Sequence, residues 1–283
     1  RATYTINIGG NKENTKDTVD TSGCFFIQGK GSLKVTSHGC IRNFRNQSSN
    51  AGAAIYNDGG NVEIANGALI YGCEGAMGPA ILNSGGSVTM SDGFLHSNIA
   101  DSSLGANDKD SSGNGGAIAM LGGTLNLSGG NIYNNSATNN GGGISIKRNA
   151  TVTMSGGYIG QYGHGNGSGS EGGGIYLGES STFTMTGGVI GGSGNGNSSG
   201  EEGGGIFSSG HGTHCYIRSA EISYNNAAGS GGGVFSGYGA SLTLGYRNNR
   251  TVGSGPVISH NTSAVSGGGI RTNGGGNNES DRG

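Results

Sequence analysis

Apolar residues along this chain fall in short alternating groups, and the groups recur. From Gly141 the order is Gly141-Gly142-Gly143-Ile144-Ser145-Ile146, a turn, then Val152-Thr153-Met154-Ser155-Gly156-Gly157-Tyr158-Ile159. Successive side chains of a strand point to opposite sides, so Ile144 with Ile146, and Val152 with Met154, each line one face of a short strand. A third strand is expected at Ile159, after the second pair of glycines.

The glycine corner returns at Gly115-Gly116-Ala117-Ile118, Gly172-Gly173-Gly174-Ile175, Gly203-Gly204-Gly205-Ile206, Gly231-Gly232-Gly233-Val234 and Gly267-Gly268-Gly269-Ile270, with weaker versions ending at Ile55 and Ile81. From Ile55 the steps are 26, 37, 26, 31, 31, 28 and 36 residues. The second strand keeps step, as Leu33/Val35, Val62/Ile64, Val88/Met90, Leu125/Leu127, Val152/Met154, Phe183/Met185, Tyr216/Ile217 and Leu242/Leu244. Two motifs sharing one irregular period of about 30 residues mark a repeat array. Four coils carry a further signature, an aliphatic residue followed three places later by Asn: Leu95/Asn98, Ile132/Asn135, Ile222/Asn225 and Ile258/Asn261.

Three short strands in so short a period predict an all-β right-handed parallel β-helix of about eight coils, each roughly 30 residues long. A four-stranded propeller blade needs about 40 residues or more, which disfavours that fold. Residues 1–23, with one strand pattern at Tyr4-Thr5-Ile6-Asn7-Ile8, read as a lead-in or cap; 24–272 hold the coils and 273–283 form a polar tail. Asn98, Asn135, Asn225 and Asn261 are expected to stack as a structural ladder, with independent Asx turns as the alternative. Enlarged corners at 160–171 and 191–202 replace that asparagine signature, and 101–114, with Asp101, Asp108 and Asp110, forms a third enlargement.

Composition narrows the choice. Glycine is 66 of 283 residues and proline only 2, whereas collagen requires glycine at every third position with abundant proline. Apolar residues are 31% of the chain, low enough to make disorder the competing reading, but a disordered chain has no reason to keep aliphatic positions in step. The net charge is -2 and the 15 basic residues are scattered without aromatic interleaving, so a nucleic-acid partner is not expected. No apolar run reaches the roughly 18 residues of a membrane span. The chain opens at Arg1 without a signal peptide, which leads to the expectation that it follows processing or excision from a longer precursor.

Candidate chemistry is sparse. Glu171 and Glu202 each precede a Gly-Gly-Gly and lie 31 residues apart, so they are expected on adjacent coils with Glu201 beside them. Carboxylates so placed suit a hard cation such as calcium, against the plainer reading of a solvated rim. His211 and His214 have His-x-x-His spacing with only Cys215 beside them, too few ligands for zinc. Cys24, Cys40, Cys73 and Cys215 read either as a disulfide near the N-terminus or as buried thiols. Asp92, Glu63 and Glu221 occupy different places in the repeat, so no aligned acid and base pair is expected. Thr89, Thr153, Thr184 and Thr243 make an outward row broken by Asn126 and by the coil at Tyr216.

Gly115-Gly116-Ala117-Ile118 taken with Leu95-His96-Ser97-Asn98 resembles the short repeats of chlamydial polymorphic outer-membrane proteins and related autotransporter-type adhesins. Those families join a Gly-Gly-Ala-aliphatic motif to Phe-x-x-Asn, and the likeness extends over most of residues 50–270. It implies a bacterial-type surface or secreted passenger acting by display and adhesion, without catalysis. The expectation is therefore an extracellular or cell-surface structural or adhesive β-solenoid. It needs no cofactor unless calcium, self-associates end to end, and has a host-surface or glycan ligand. The alternative is a polysaccharide lyase or hydrolase.

Overall fold

A computed structural model describes residues 5–8, 25–36, 39–45, 54–105, 112–161, 163–194, 196–245 and 255–274. Three parallel sheets wind around one apolar axis. The largest takes two strands from every coil. One ladder begins at each glycine corner, as in Ile118–Met120, Ile144–Ile146, Ile175–Leu177, Ile206–Ser208, Val234–Ser236 and Ile270–Thr272. The other follows the turn, as in Thr124–Leu127, Thr151–Met154, Thr182–Met185, His214–Ile217 and Ser241–Leu244. The ten-residue strands Ile55–Ile64 and Ile81–Met90 run through both ladders and join them into one sheet of 16 strands. A second sheet stacks eight strands from Cys40–Arg42 to Val257–Ser259.

The third sheet stacks seven two-residue strands, from Glu74–Gly75 to Thr262–Ser263. A complete coil thus carries four strands, one more than the pattern predicts. Two residues are too few for alternation to be read, although Ala100, Ala137 and Ala227 are the inward members of these strands.

Register is strict. Ile118, Ile144, Ile175, Ile206, Val234 and Ile270 are successive partners, as are Val88, Leu125, Val152, Phe183, Cys215 and Leu242. The parallel β-solenoid expected from the repeat is the fold observed. Phe183 is fully buried between the smaller Val152 and Cys215, so an oversized side chain in one layer is taken up by its neighbours. No coil can bury its apolar face alone, so stability comes from stacking.

The Gly-Gly-Gly corner has a separate reason at each place. The first glycine sits at positive φ, 67 to 69° at Gly115, Gly141, Gly172, Gly203, Gly231 and Gly267, a region costly for residues with a Cβ. A Cβ on Gly142 would collide with the Gly173 carbonyl oxygen of the next coil, and one on Gly143 would come within 2.8 Å of Gly174 O. Only hydrogen allows adjacent corners to hydrogen-bond directly, as in Gly142 N to Gly172 O at 3.0 Å.

Thr5–Ile8 pairs in parallel with Ser32–Val35 and so extends the post-turn ladder by one strand. The rest of the expected lead-in, Cys24, Asp108, Asp110, Tyr162 and all but Asn273 and Gly274 of the tail lie outside the described residues. Among the described residues no helix is long and apolar enough to cross a membrane.

Candidate functional site

The most ordered polar element is a column of asparagines at the turn between the second and third sheets. Asn98, Asn135, Asn166, Asn197, Asn225 and Asn261 form one continuous ladder, each Nδ2 donating to the next Oδ1 at 2.9 Å. The second Nδ2 proton of each goes to a backbone carbonyl: Asn135 to Leu95 O, Asn166 to Ile132 O, Asn197 to Ile159 O, Asn225 to Ile190 O. Each Oδ1 also accepts the backbone N–H of the asparagine before it, as Asn166 Oδ1 does from Asn135 N at 3.1 Å. An interior member therefore has both side-chain donors and its acceptor engaged in a buried place, where an unpaired group would be costly. Cys73 stands below Asn98 and joins through its backbone N–H, 3.0 Å from Asn98 Oδ1.

The expected set of four, Asn98, Asn135, Asn225 and Asn261, omits Asn166 and Asn197: the enlarged corners lack the aliphatic-x-x-Asn signature yet still supply a ladder asparagine. Seven residues separate Ile159 from Asn166 and Ile190 from Asn197, where three separate Ile132 from Asn135. The four extra residues leave the stack, and the chain rejoins it at the asparagine. A usable signal lay on the other side, since Asn135, Asn166, Asn197, Asn225 and Asn261 each precede the first corner aliphatic by nine residues. A shorter polar pair, Asn57 Nδ2 to Asn83 Oδ1 at 2.6 Å, fills the bend of the two long strands.

Glu171, Glu201 and Glu202 do meet. Backbone bonds run Gly141 N to Glu171 O and Gly172 N to Glu202 O, which places Asn140, Glu171, Glu202 and Ser230 at one corner on successive coils. The three glutamates can each bring a carboxylate oxygen within 4.8 Å of the others. Burial, then the charges of Glu201 and Glu202, push the Glu171 carboxyl up to about 7, opposed by Lys147. Like carboxylates at this distance share protons or take up a hard cation. The buried Lys147 places Nζ 3.8 Å from Glu179 Oε1 and 5.3 Å from the centre of the Tyr176 ring.

Other candidates are dispersed. His214 points outward, with Nδ1 2.7 Å from Ser241 Oγ, while its neighbour Cys215 points into the core and His211 packs edge-on against Tyr238. Alternation along the strand separates His214 from Cys215, and His211 lies in the turn before it, so the three make no zinc set. Burial pushes the Cys215 thiol up to about 12, and it acts as a small apolar residue. Cys73 is likewise buried, its Sγ 3.6 Å from Tyr71 O, and Cys40 is exposed and free. Glu63 pairs with Lys34 at 2.6 Å, Asp92 accepts from Gly67 N, and Glu221 accepts from Ser223 Oγ. The three are engaged in separate local bonds.

Two outward surfaces are organised by the stacking. On the post-turn ladder Ser87, Thr124, Thr151 and Thr182 form one row and Thr89, Asn126, Thr153 and Thr184 another, interrupted by His214 and Tyr216. On the second sheet Tyr158, Val189 and Glu221 are register partners and make a ridge along the axis. Grooves of about 560 and 510 Å³ flank that ridge, the first lined by residues that precede it in each coil, the second by residues that follow. The sequence reading missed this ridge because Tyr158 looks locally like any strand residue.

Comparison of the chain with protein-family models, with curated proteins and with solved structures found no match in any of the three.

Proposed function

We propose that the protein is an extracellular or cell-surface β-solenoid that works as a scaffold and adhesin, displaying rows of side chains on a rigid rod. The observation that carries this reading is the unbroken in-register stack, with the asparagine ladder bonded through six coils. Such a stack repeats surface groups every ~4.8 Å along the axis, a geometry suited to extended ligands and surfaces. Electron microscopy of the purified protein tests the reading: rods or end-to-end filaments are expected, and globular particles overturn it.

A catalytic reading is favoured by one observation, the Glu171 carboxyl poised near neutrality beside two carboxylates, which is the state a general acid in a polysaccharide lyase or hydrolase requires. Incubation with acidic and neutral polysaccharides, with and without calcium, separates the two. Turnover lost in Glu171→Gln would make the protein an enzyme; no turnover leaves display.

A further inference from the structure

We infer that the groove between the Tyr158–Val189–Glu221 ridge and Tyr224 is a binding site for a neutral glycan chain lying along the solenoid axis. The inference deepens the display reading, on which it rests, by naming a ligand class and the face that takes it.

Four observations converge on that groove. First, its walls are aromatic and unusually open. Tyr158 is 38% and Tyr224 37% exposed, and the Tyr224 ring is held flat against His260, 4.7 Å between centres and 3° between planes. An exposed ring held in place, as that of Tyr224 is, gives a sugar's C–H face an apolar surface to pack on at little further cost in order. Second, two of its eight lining residues are glycines. Gly163 and Gly192 line it, and a Cβ on Gly163 would meet nothing within 4 Å.

Third, two of the lining residues, Gln161 and Glu221, offer hydrogen-bond acceptors. Gln161 Oε1 is shielded from solvent and has no hydrogen-bond partner among the described residues, and a buried acceptor left unpaired is destabilising until a donor reaches it. Glu221 is oriented by Ser223 Oγ, 2.6 Å from Oε1. A ligand completing this site brings an O–H donor, and the carboxylate disfavours one that brings negative charge. Neutral saccharides meet both demands and uronate polymers fail the second. Fourth, the groove has the right size. About 510 Å³ lies within the roughly 300–1,000 Å³ of ordinary ligand sites, and it crosses three coils, about 10 Å of axis at ~4.8 Å per step.

The test is isothermal titration at pH 7.5 with cello-, xylo-, manno- and chito-oligosaccharides, and with polygalacturonate as the acidic probe. At least one neutral series is expected to bind. Tyr158→Ala should weaken it about tenfold or more, as loss of an aromatic anchor does, with Tyr158→Phe close to the parent. Glu221→Gln should relax the exclusion of polygalacturonate, and Thr153→Val, on another face, should change nothing. Circular dichroism and melting of each variant confirm that the stack is intact. The inference is overturned if no neutral series binds at millimolar concentration, if polygalacturonate binds better than all of them, or if Tyr158→Ala binds as the parent does. None of those outcomes alters the shape of the particles, and globular particles would remove the display reading without any binding result.

Discussion

The asparagine column and the glutamate column both set polar side chains one above another on successive coils, and they differ in what stacking does to them. An asparagine carries a donor and an acceptor, so each copy satisfies the one before it, and the buried ladder is closed at every interior rung. A glutamate carries acceptors only, so stacking gives Glu171 no complement: burial, then the charges of Glu201 and Glu202, push its carboxyl up to about 7. Repetition along a solenoid therefore stabilises side chains that complement their own kind and stresses those that do not.

The largest effect is expected in the middle of the ladder. Asn166→Ala leaves Asn135 N and one Asn135 Nδ2 proton without partners, while Ile132 O keeps the bond from Gly160 N; at roughly 1–3 kcal/mol per buried orphan the loss should be about 2–4 kcal/mol, after partial relief by water. Denaturant unfolding should show it, and a loss below about 1 kcal/mol would mean the ladder is ornamental. Asn261→Ala should cost less, because the half-buried Asn261 receives two bonds from Asn225 and gives one to Ile222 O.

The glutamate corner should show a smaller effect of opposite sign. The folded Glu171 carboxyl titrates near 7, above its ordinary 4.5. Its contribution to stability is therefore fully present below about pH 4.5 and is lost as pH rises through about 7. Glu171→Gln should match the parent near pH 4.5 and melt higher at pH 8, by on the order of 2–4 °C for a chain of this size. Equal melting at both pH values would refute the cluster as a source of stress. Repeating the pH 8 scan in millimolar calcium distinguishes proton sharing from cation binding: only a bound cation raises the parent and leaves Glu171→Gln unmoved.

The smallest effect is expected on the outward hydroxyl rows. Thr153 Oγ1 donates to Asn126 Oδ1 at 2.6 Å, but both side chains are exposed. Thr153→Val should thus change stability by no more than about 0.5 kcal/mol. A larger loss in denaturant unfolding would show that the surface rows, and not only the buried ladder, hold the coils together.

What could be read from the chain was local. The alternation of Ile144 and Ile146, or Val152 and Met154, declares which side chains face inward, and the triple glycines mark where the chain must turn tightly against its neighbour. These follow from adjacent residues and hard-sphere geometry, so the sequence determined the solenoid and its core rows. The same locality put Glu171, Glu201 and Glu202 at one corner, since two equal glycine motifs 31 residues apart stack without slack. The tertiary structure decided which polar groups meet when coils differ in length. Ladder partners lie 37, 31, 31, 28 and 36 residues apart. Extra residues are expelled from the stack and hydrogen bonds between coils, rather than residue counts, reset the register. Asn166 and Asn197 enter the ladder, and Tyr158, Val189 and Glu221 become a ridge, for that reason.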